Sequence, residues 1–455
     1  MGPMYSRSNL FVSLKESVKK IATYYPTTHN IDVILEKISE KRVPIKPSDT
    51  FGRIAGIDGS LNSIEIFGNL KLYAVTAVSY GFTEKRPLIS IATVVPYYET
   101  PHTPGAVNAL MSALEAFSTF VSVKDGVDYV FVDGGPKSIY IAISGRVAGI
   151  LDSLTRSLLM IVKEVVIEPD NYGLAKKIDE GVYVVDRSSL LHKAIQEGLR
   201  AGYKELRKAF DFHGKVDEDA LLAAILGSSF SAFKSAFLSK IEETLESDLT
   251  RNVEERILRE RYALEPMINA FAAYGVYINA LDKTFEYLER KDSLIIGASK
   301  RINRASINLG VFEAPDLDLR SRIGYALTGP MLESPGYMEI VSSHPYGPPE
   351  MKLTGHVDGI NRVREYFEGK RNIRIKEVLY KPSRRSILRL EIYSRNDVDL
   401  KEVLSVIASK SLRVPAGSST LSLYPIEIAH RIASVSNDIM NNLRTIFLKN
   451  LSIES

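Results

Sequence analysis

Two apolar runs in the first third of the chain each stop at an aspartate that a glycine follows. They read Ile54-Ala55-Gly56-Ile57-Asp58-Gly59-Ser60 and Tyr129-Val130-Phe131-Val132-Asp133-Gly134-Gly135. An apolar run followed by turn residues is typical of a buried strand, so each carboxylate is predicted at a strand end beside a tight turn. Asp-Gly often marks only a turn. Two adjacent parallel strands that ended this way would bring both carboxylates to one divalent cation.

The elements predicted around these aspartates follow the order strand, strand, strand, helix, strand, helix. The predicted segments are Arg53–Ile57, Ile64–Tyr80 with a break near Gly68, Leu88–Val95, Ala106–Phe120, Tyr129–Val132 and about 137–165. This is the order of a ribonuclease-H-like core, in which the first and fourth strands lie side by side and end in metal-binding acids. The predicted fold class is therefore α/β, with a mixed sheet and flanking helices.

Four regions are predicted along the chain: an N-terminal helical arm over 1–48, the first part of the core over 49–187, a large helical insertion over 188–291, and the completion of the core over 292–455. The insertion is also a candidate dimer arm. The last region contains a basic β-hairpin and a C-terminal helix that starts at Pro425 and runs to about Leu443. Short strands that would complete the sheet are predicted at Tyr183–Asp186, Leu294–Gly297, Tyr337–Ser342 and Met351–Thr354.

Composition limits the chemistry that the chain can support. Of the 455 residues, 45% are hydrophobic and 25% are charged, which is typical of a globular protein. The chain has no cysteine, so thiol nucleophiles and cysteine-ligated metals are excluded, and a metal must bind to oxygen and imidazole ligands. The N-terminus has charges at Arg7, Lys15, Lys19 and Lys20 and no continuous apolar stretch, which predicts a cytoplasmic protein without a membrane span.

Local charge is more informative than the net charge of +3. Eight basic residues and one acid, Glu377, lie between Lys370 and Arg389. Alternation predicts two strands with their basic side chains on one exposed face, joined by a turn at 382–385. This hairpin is either a solvated face or a track for a nucleic-acid backbone. In the second case its contacts would include Lys376, Arg384 and Arg385.

A third carboxylate ligand has two candidates. Glu115 is the one acid within Ala106–Phe120 and lies next to the core residue Leu114, where an unpaired acid is costly. Glu99 follows the third predicted strand and is the alternative, and we favour Glu115. His430, on the first turns of the C-terminal helix, is predicted to face protein. It is either a core histidine or a ligand for an ion such as Mn²⁺.

Several common catalytic motifs are missing from the sequence. It contains no Gly-x-Ser-x-Gly elbow, no Gly-x-x-x-x-Gly-Lys-Ser/Thr loop and no His-Glu-x-x-His helix. The turn Gly134-Gly135-Pro136-Lys137 is a candidate phosphate cradle, but the rest of a nucleotide-binding pattern does not accompany it. These observations argue against an ATPase.

Four segments in the same order resemble the NurA family of prokaryotic DNA-end-processing nucleases. They are Gly56-Ile57-Asp58-Gly59-Ser60, Phe131-Val132-Asp133-Gly134-Gly135, Ile296-Gly297-Ala298-Ser299-Lys300, and Tyr424-Pro425 with Ala429-His430. Each segment is short, so the resemblance rests on their combination. The block between about 190 and 290 is poorly covered.

The resemblance implies a homodimeric nuclease with a ribonuclease-H-like core that degrades DNA ends 5′ to 3′ and also cuts single strands. It implies Mn²⁺ as the preferred metal, with Mg²⁺ as an alternative. Asp58, Glu115, Asp133 and His430 fall on the family's metal-binding positions, and Tyr325 is the candidate for a further tyrosine of the site. Lys300 and Arg301 would contact DNA phosphates. The implied partners are a HerA-type hexameric translocase and, in recombinational repair, Mre11–Rad50.

Two other functions stay open at the level of sequence. One is a non-catalytic DNA-binding scaffold for a motor partner, against which the intact acids argue. The other is a nuclease directed at RNA or RNA–DNA hybrids, because related folds serve such enzymes.

Overall fold

Nine strands of the described part of the chain form a mixed sheet at the centre of the protein. The computed structural model describes residues 14–18, 20, 39–40, 42–48, 52–165, 176–179, 182–184, 196–202, 229–243, 245, 247–299, 307–308, 336–339, 341–342, 359–383, 386–410 and 423–451. The strands are β1 (Val43–Pro44), β2 (Ile54–Phe67), β3 (Leu70–Gly81), β4 (Arg86–Tyr98), β5 (Tyr129–Asp133), β6 (Lys176–Asp179), β7 (Val182–Val184), β8 (Leu294–Ser299), β9 (Ile307–Asn308), β10 (Gly336–Glu339), β11 (Val341–Ser342), β12 (Arg374–Ser383) and β13 (Ser386–Ser394).

The main sheet has the strand order β1-β10-β12-β13-β8-β5-β2-β3-β4. β2, β5 and β8 are parallel to one another, and every other neighbouring pair is antiparallel. The first and fourth strands of the predicted core, β2 and β5, are therefore neighbours, as expected. The predicted α/β class with a mixed sheet and flanking helices is confirmed.

Helices cover both faces of the sheet. They are α1 (Thr103–Lys124), α2 (Pro136–Val165), α3 (Ser229–Glu242), α4 (Ser247–Arg259), α5 (Arg261–Leu288), α6 (Ile360–Phe367), α7 (Leu400–Ser409), α8 (Tyr424–Ala433) and α9 (Asn437–Leu451). Ala55 and Ile57 of β2 pack into one core with α1 and α5, whereas Ile54 packs into a second core with α7 and α8. This alternation follows from the two-residue period of a strand.

α1 is a core helix. By length and composition it could cross a membrane, but 83% of its most apolar window is buried inside the protein. It packs against α5, β2, β3 and β4. The described helices of the predicted insertion belong to the same hydrophobic core, since α3, α4 and α5 contribute Phe233, Ile257 and Phe271 to it. The division into four regions stays a prediction, as does the cytoplasmic location.

Several predicted elements differ in the structure. Tyr183 and Val184 lie in β7, which pairs with β6 in a separate two-stranded sheet instead of completing the main one. Within the predicted N-terminal helical arm, 43–44 form strand β1 of the main sheet. Met351–Thr354 lie outside the described residues.

The predicted C-terminal helix is divided in two. α8 ends at Ala433 and α9 begins at Asn437. The carbonyls of Ala433 and Val435 accept hydrogen bonds from Thr76 Oγ1 at 2.6 Å and Asn62 Nδ2 at 2.9 Å. Polar side chains of the β2–β3 hairpin therefore bind the carbonyls exposed at this break.

The basic hairpin is formed by β12 and β13, which lie inside the sheet. Because β12 pairs with β10 and β13 pairs with β8, neither strand is an edge. The expectation of one exposed basic face is wrong for Lys381 and Arg389, which are buried. Burial also raises the free energy of the charged Lys381 side chain and lowers its pKa to about 8.

Candidate active site

The register of β2 and β5 places Asp58 beside Asp133. Ile57 pairs with Val132 in the parallel ladder, and each aspartate is the next residue of its strand. Neighbouring strands lie about 4.8 Å apart, so two residues at this level can reach a common ligand. On the other side of β5, Asp133 pairs with Ala298 of β8, so Ala298 lies at the same height in the sheet as the two aspartates.

Only one of the two aspartates ends its strand. β5 stops at Asp133, and Gly134 follows with a φ of +83°, as predicted. β2, however, continues through Asp58 to Phe67, because Asp58 and Gly59 pair with Val78 and Ala77 of β3. The prediction of a turn after Asp58 is therefore wrong.

Gly59 is required by a close approach of α1. A Cβ atom at Gly59 would lie 2.6 Å from Glu115 Oε1 and 2.9 Å from Met111 Cγ. Glu115 therefore reaches β2 at the position where a side chain is missing. By the alternation of β2, Gly59 faces the α1 side of the sheet and Asp58 the α8 side.

Glu115 is a buried carboxylate in a region of negative charge. Its side chain is 7% exposed. Burial, and then the nearby charges of Asp58 and Asp133, raise the pKa of Glu115 well above its usual value. The nearby Gly59 N–H, which donates a hydrogen bond to Asp58 Oδ1 at 2.8 Å, opposes this only in part. The ionised form of Glu115 is thus unfavourable in the protein alone.

Glu99, the alternative third ligand, lies far from this cluster. It forms an ion pair with Lys71, which pairs across the hairpin with Glu65 of β2. Glu65 is seven residues from Asp58, or roughly 23 Å along a strand. The structure thus brings Glu115, and not Glu99, to the aspartates.

His430 contacts Asp58 directly. Its Nδ1 lies 3.0 Å from Asp58 Oδ2, while the imidazole is 52% exposed. The histidine therefore lies at the open side of the site instead of facing the protein interior. α8 can approach so closely because residue 56 is glycine: a Cβ there would lie 2.0 Å from the carbonyl oxygen of Pro425.

Of the other predicted site residues, the structure describes only Lys376, and it has partners of its own. Lys376 forms an ion pair with Asp397 at 2.6 Å and donates to the carbonyl of Val398. The remaining candidates lie outside the described residues, namely Lys300, Arg301, Tyr325, Arg384 and Arg385.

The donor set suits a hard divalent cation. Three carboxylates and an imidazole are the ligands expected for Mn²⁺ or Mg²⁺, and a cation would relieve the repulsion that acts on Glu115. Among the described residues, no group of three or more such side chains is already placed so that it could hold one ion. Glu115 approaches from one face of the sheet and Asp58 with His430 from the other. The ligands would therefore have to move together around a metal.

A second group of polar side chains, most of them buried, lies against the turn that follows Asp133. We call it the turn-support cluster, and it consists of Lys137, Glu377, Arg389, Glu391 and Tyr393. Glu391 is completely buried, and Glu377 and Arg389 are nearly so. Sequence reasoning missed this group, because Lys137 lies 240 residues before its ion-pair partner Glu377. The signal in the sequence was the presence of two acids, at 377 and 391, in a hairpin that is otherwise rich in basic and β-branched residues.

The turn-support cluster argues against a phosphate cradle at Gly134-Gly135-Pro136-Lys137. The carboxylate of Glu391 already occupies the start of α2, where it accepts a hydrogen bond from the Lys137 N–H at 3.1 Å. A Cβ on Gly135 would lie 2.1 Å from Glu391 Cδ. A side chain of the protein thus fills the position that an anion would take.

Comparison with known proteins gives a match at the level of structure. No protein-family model and no curated protein matches the chain. The NurA nuclease from Sulfolobus solfataricus superposes with a TM-score of 0.52, covering 100% of this chain and 99% of that chain at 15% identity. A second NurA structure covers 95% of this chain and 94% of its own, with a TM-score of 0.46 and 14% identity. The first match shows that the chain has the fold of a NurA nuclease, so the resemblance predicted from the sequence is confirmed for the fold.

Proposed function

We propose that the protein is a metal-dependent nuclease of the NurA type. The observation that carries this proposal is that Asp58 and Asp133 lie at the same level of adjacent parallel strands, where their charges raise the pKa of the buried Glu115. Carboxylates that repel one another in a protein core are costly unless a cation binds among them. The fold shared with a NurA nuclease supports the same function.

Each side chain has a distinct part in the proposed mechanism. Asp58, Glu115 and Asp133 would hold the metal ions through oxygen, and His430 would complete the ligand set. When bound, Mn²⁺ or Mg²⁺ would supply an activated water and would neutralise charge on the scissile phosphate. The contact of His430 Nδ1 with Asp58 Oδ2, at 3.0 Å, would orient both side chains at the open side of the site.

The finer features of the activity belong to the same proposal. We infer a DNA substrate, degraded from its ends 5′ to 3′, together with endonuclease activity on single strands, in recombinational double-strand break repair. Mn²⁺ would be the preferred metal. The proposed assembly is a homodimer that acts with a HerA-type translocase, alongside Mre11–Rad50. These features rest on the resemblance of the four sequence segments.

The test is digestion of end-labelled DNA by the purified protein with Mn²⁺, with Mg²⁺ or with EDTA. Wild type should release the label only with a metal, and Asp58→Ala should cut about 10³-fold more slowly, equivalent to several kcal/mol of lost transition-state stabilisation. DNA binding, measured by fluorescence anisotropy, should be retained. Glu99→Ala is the matched control, because it removes the competing carboxylate, and it should cut normally.

Other outcomes would point to other functions. DNA binding without metal-dependent cutting, even with an ATPase partner added, would favour the scaffold. Faster cutting of an RNA–DNA hybrid than of DNA would favour the RNA-directed nuclease. Normal cutting by Asp58→Ala would mean that the site is wrong.

A further inference from the structure

Burying the charged side chains of the turn-support cluster costs free energy. The side chains of Glu377, Arg389 and Glu391 are 5%, 6% and 0% exposed. Arg389 forms an ion pair with Glu377 and lies 3.8 Å from Glu391, and Lys137 Nζ lies 3.2 Å from Glu377. Apolar residues of similar size often stabilise a core as well as a buried ion pair does. Stability alone is therefore a weak explanation for this cluster.

Glu391 is the member of the cluster that contacts the turn after Asp133. Its carboxylate accepts hydrogen bonds from the Lys137 N–H, from Ser138 Oγ and from the hydroxyl of Tyr393. The Lys137 N–H also donates to the Tyr393 oxygen at 2.9 Å. Glu391 thereby binds backbone N–H and hydroxyl groups of the first turn of α2, which carry partial positive charge.

The same turn is fixed from β8 as well. Gly134 N–H donates to the carbonyl of Ala298 at 2.8 Å, and Gly135 N–H donates to Ser299 Oγ at 3.3 Å. Gly297, opposite Glu391 in the ladder, also has no room for a side chain, because a Cβ there would lie 2.5 Å from Gly135 Cα. The segment that follows Asp133 is thus held between β8 and the carboxylate of Glu391.

We propose that Glu391 is a positioning residue for the metal site, which fixes the turn after Asp133 so that the Asp133 carboxylate faces Asp58 and Glu115. The inference rests on the proposed function. Arg389, Glu377 and Lys137 compensate the charge of Glu391 and hold it in place. Glu391 itself contacts neither metal nor substrate. Its effect passes through the backbone between Asp133 and Lys137.

The test is a calorimetric titration of the metal-free protein with Mn²⁺ alone, in the absence of DNA. Glu391→Gln keeps the shape of the side chain and removes its charge, and we expect it to raise the Mn²⁺ dissociation constant and to lower kcat, each by about 10-fold to 100-fold. KM for DNA should stay within about twofold of wild type, because the proposal assigns Glu391 no contact with the strand.

Asp282→Asn is the matched control. Asp282 on α5 is another buried acid, and it forms an ion pair with Arg362 of α6. The variant therefore also removes a buried negative charge, but at a position away from the turn after Asp133. It should bind Mn²⁺ with wild-type affinity, even though both variants lose thermal stability. A merely structural role for Glu391 would make the two variants alike in Mn²⁺ affinity.

The outcomes separate the inference from the proposed function. Wild-type protein that neither binds Mn²⁺ nor cuts DNA would overturn the proposed function and the inference with it. Wild-type protein that binds and cuts, beside a Glu391→Gln variant of unchanged Mn²⁺ affinity, would overturn the inference alone. If Glu391→Gln does not fold, Tyr393→Phe is the second variant. It removes the two hydrogen bonds of the Tyr393 hydroxyl, to Glu391 and from the Lys137 N–H, and we expect about fivefold weaker Mn²⁺ binding. Unchanged affinity would overturn the inference.

Discussion

Glu115, near Asp58 and Asp133, and Glu377, in the turn-support cluster, are both buried carboxylates, but the charges around them differ. Burial raises the pKa of Glu115, and the neighbouring Asp58 and Asp133 raise it further. Burial acts in the same direction on Glu377, but Arg389 and Lys137 outweigh it and hold the pKa of Glu377 below its usual value. Basic side chains of the protein therefore compensate Glu377, whereas the two charges that act on Glu115 are those of acids. We propose that a cation from solution compensates Glu115.

The difference is between acids paired with bases and an acid whose neighbours are other acids. The turn-support cluster pairs two acids, Glu377 and Glu391, with two bases, Lys137 and Arg389. This balance is the usual condition under which charges persist in a core. By contrast, the charges that act on Glu115 are those of two further acids, Asp58 and Asp133. Groups whose environment disfavours their charge are good candidates for a functional site.

The largest effect on stability is expected when an acid of the turn-support cluster loses its charge. Glu377→Gln should lower the free energy of unfolding by about 3 kcal/mol at pH 7, because it leaves Arg389 without its closest partner. The folded-state pKa of Glu377 is depressed, so its stabilisation is present above the unfolded value of about 4.5 and is lost as the pH falls through the folded value. Denaturant unfolding of both proteins should therefore converge in acid. A constant difference between pH 7 and pH 3 would contradict this.

A smaller effect is expected where α8 meets β2. Gly56→Ala should cost about 2 kcal/mol, because the new methyl group would overlap the carbonyl of Pro425 and push α8 away. Cutting should weaken at the same time, since His430 moves with α8. Gly145→Ala, inside α2 with open space around it, is the control and should be neutral or stabilise by up to about 1 kcal/mol. Equal stability of the two variants would show that α8 is not held at Gly56.

The strands and the helix of the site could be predicted from the sequence, and its details could not. The apolar runs before Asp58 and Asp133 and the spacing within α1 were enough to predict neighbouring strands and the position of Glu115. Gly59 was misleading, because a glycine that allows α1 to approach looks the same in a sequence as a glycine that allows a turn. The burial of Arg389 depends on Glu377 and on Lys137, whose proximity only the folded sheet establishes.

The smallest stability effect is expected at Glu115, and it has the opposite sign. Glu115→Gln should stabilise the metal-free protein at pH 7 by about 1 kcal/mol, because it removes a charge that the site disfavours. The folded-state pKa of Glu115 is raised, so its protonated form favours folding below the unfolded value of 4.5, and this contribution is lost as the pH rises through the folded value. Urea unfolding should show the gain of the variant growing with pH. A variant that is less stable than wild type at pH 7 would contradict the account.

The most direct test of the central claim compares thermal unfolding of wild type and Glu115→Gln with and without Mn²⁺ at pH 7. Without metal, the variant should be the more stable protein. With Mn²⁺ at 100 times its dissociation constant, wild type should gain about 2.7 kcal/mol and become the more stable of the two. This reversal would mean that the unbalanced carboxylates form a cation site. An equal response of both proteins, or none in wild type, would contradict it.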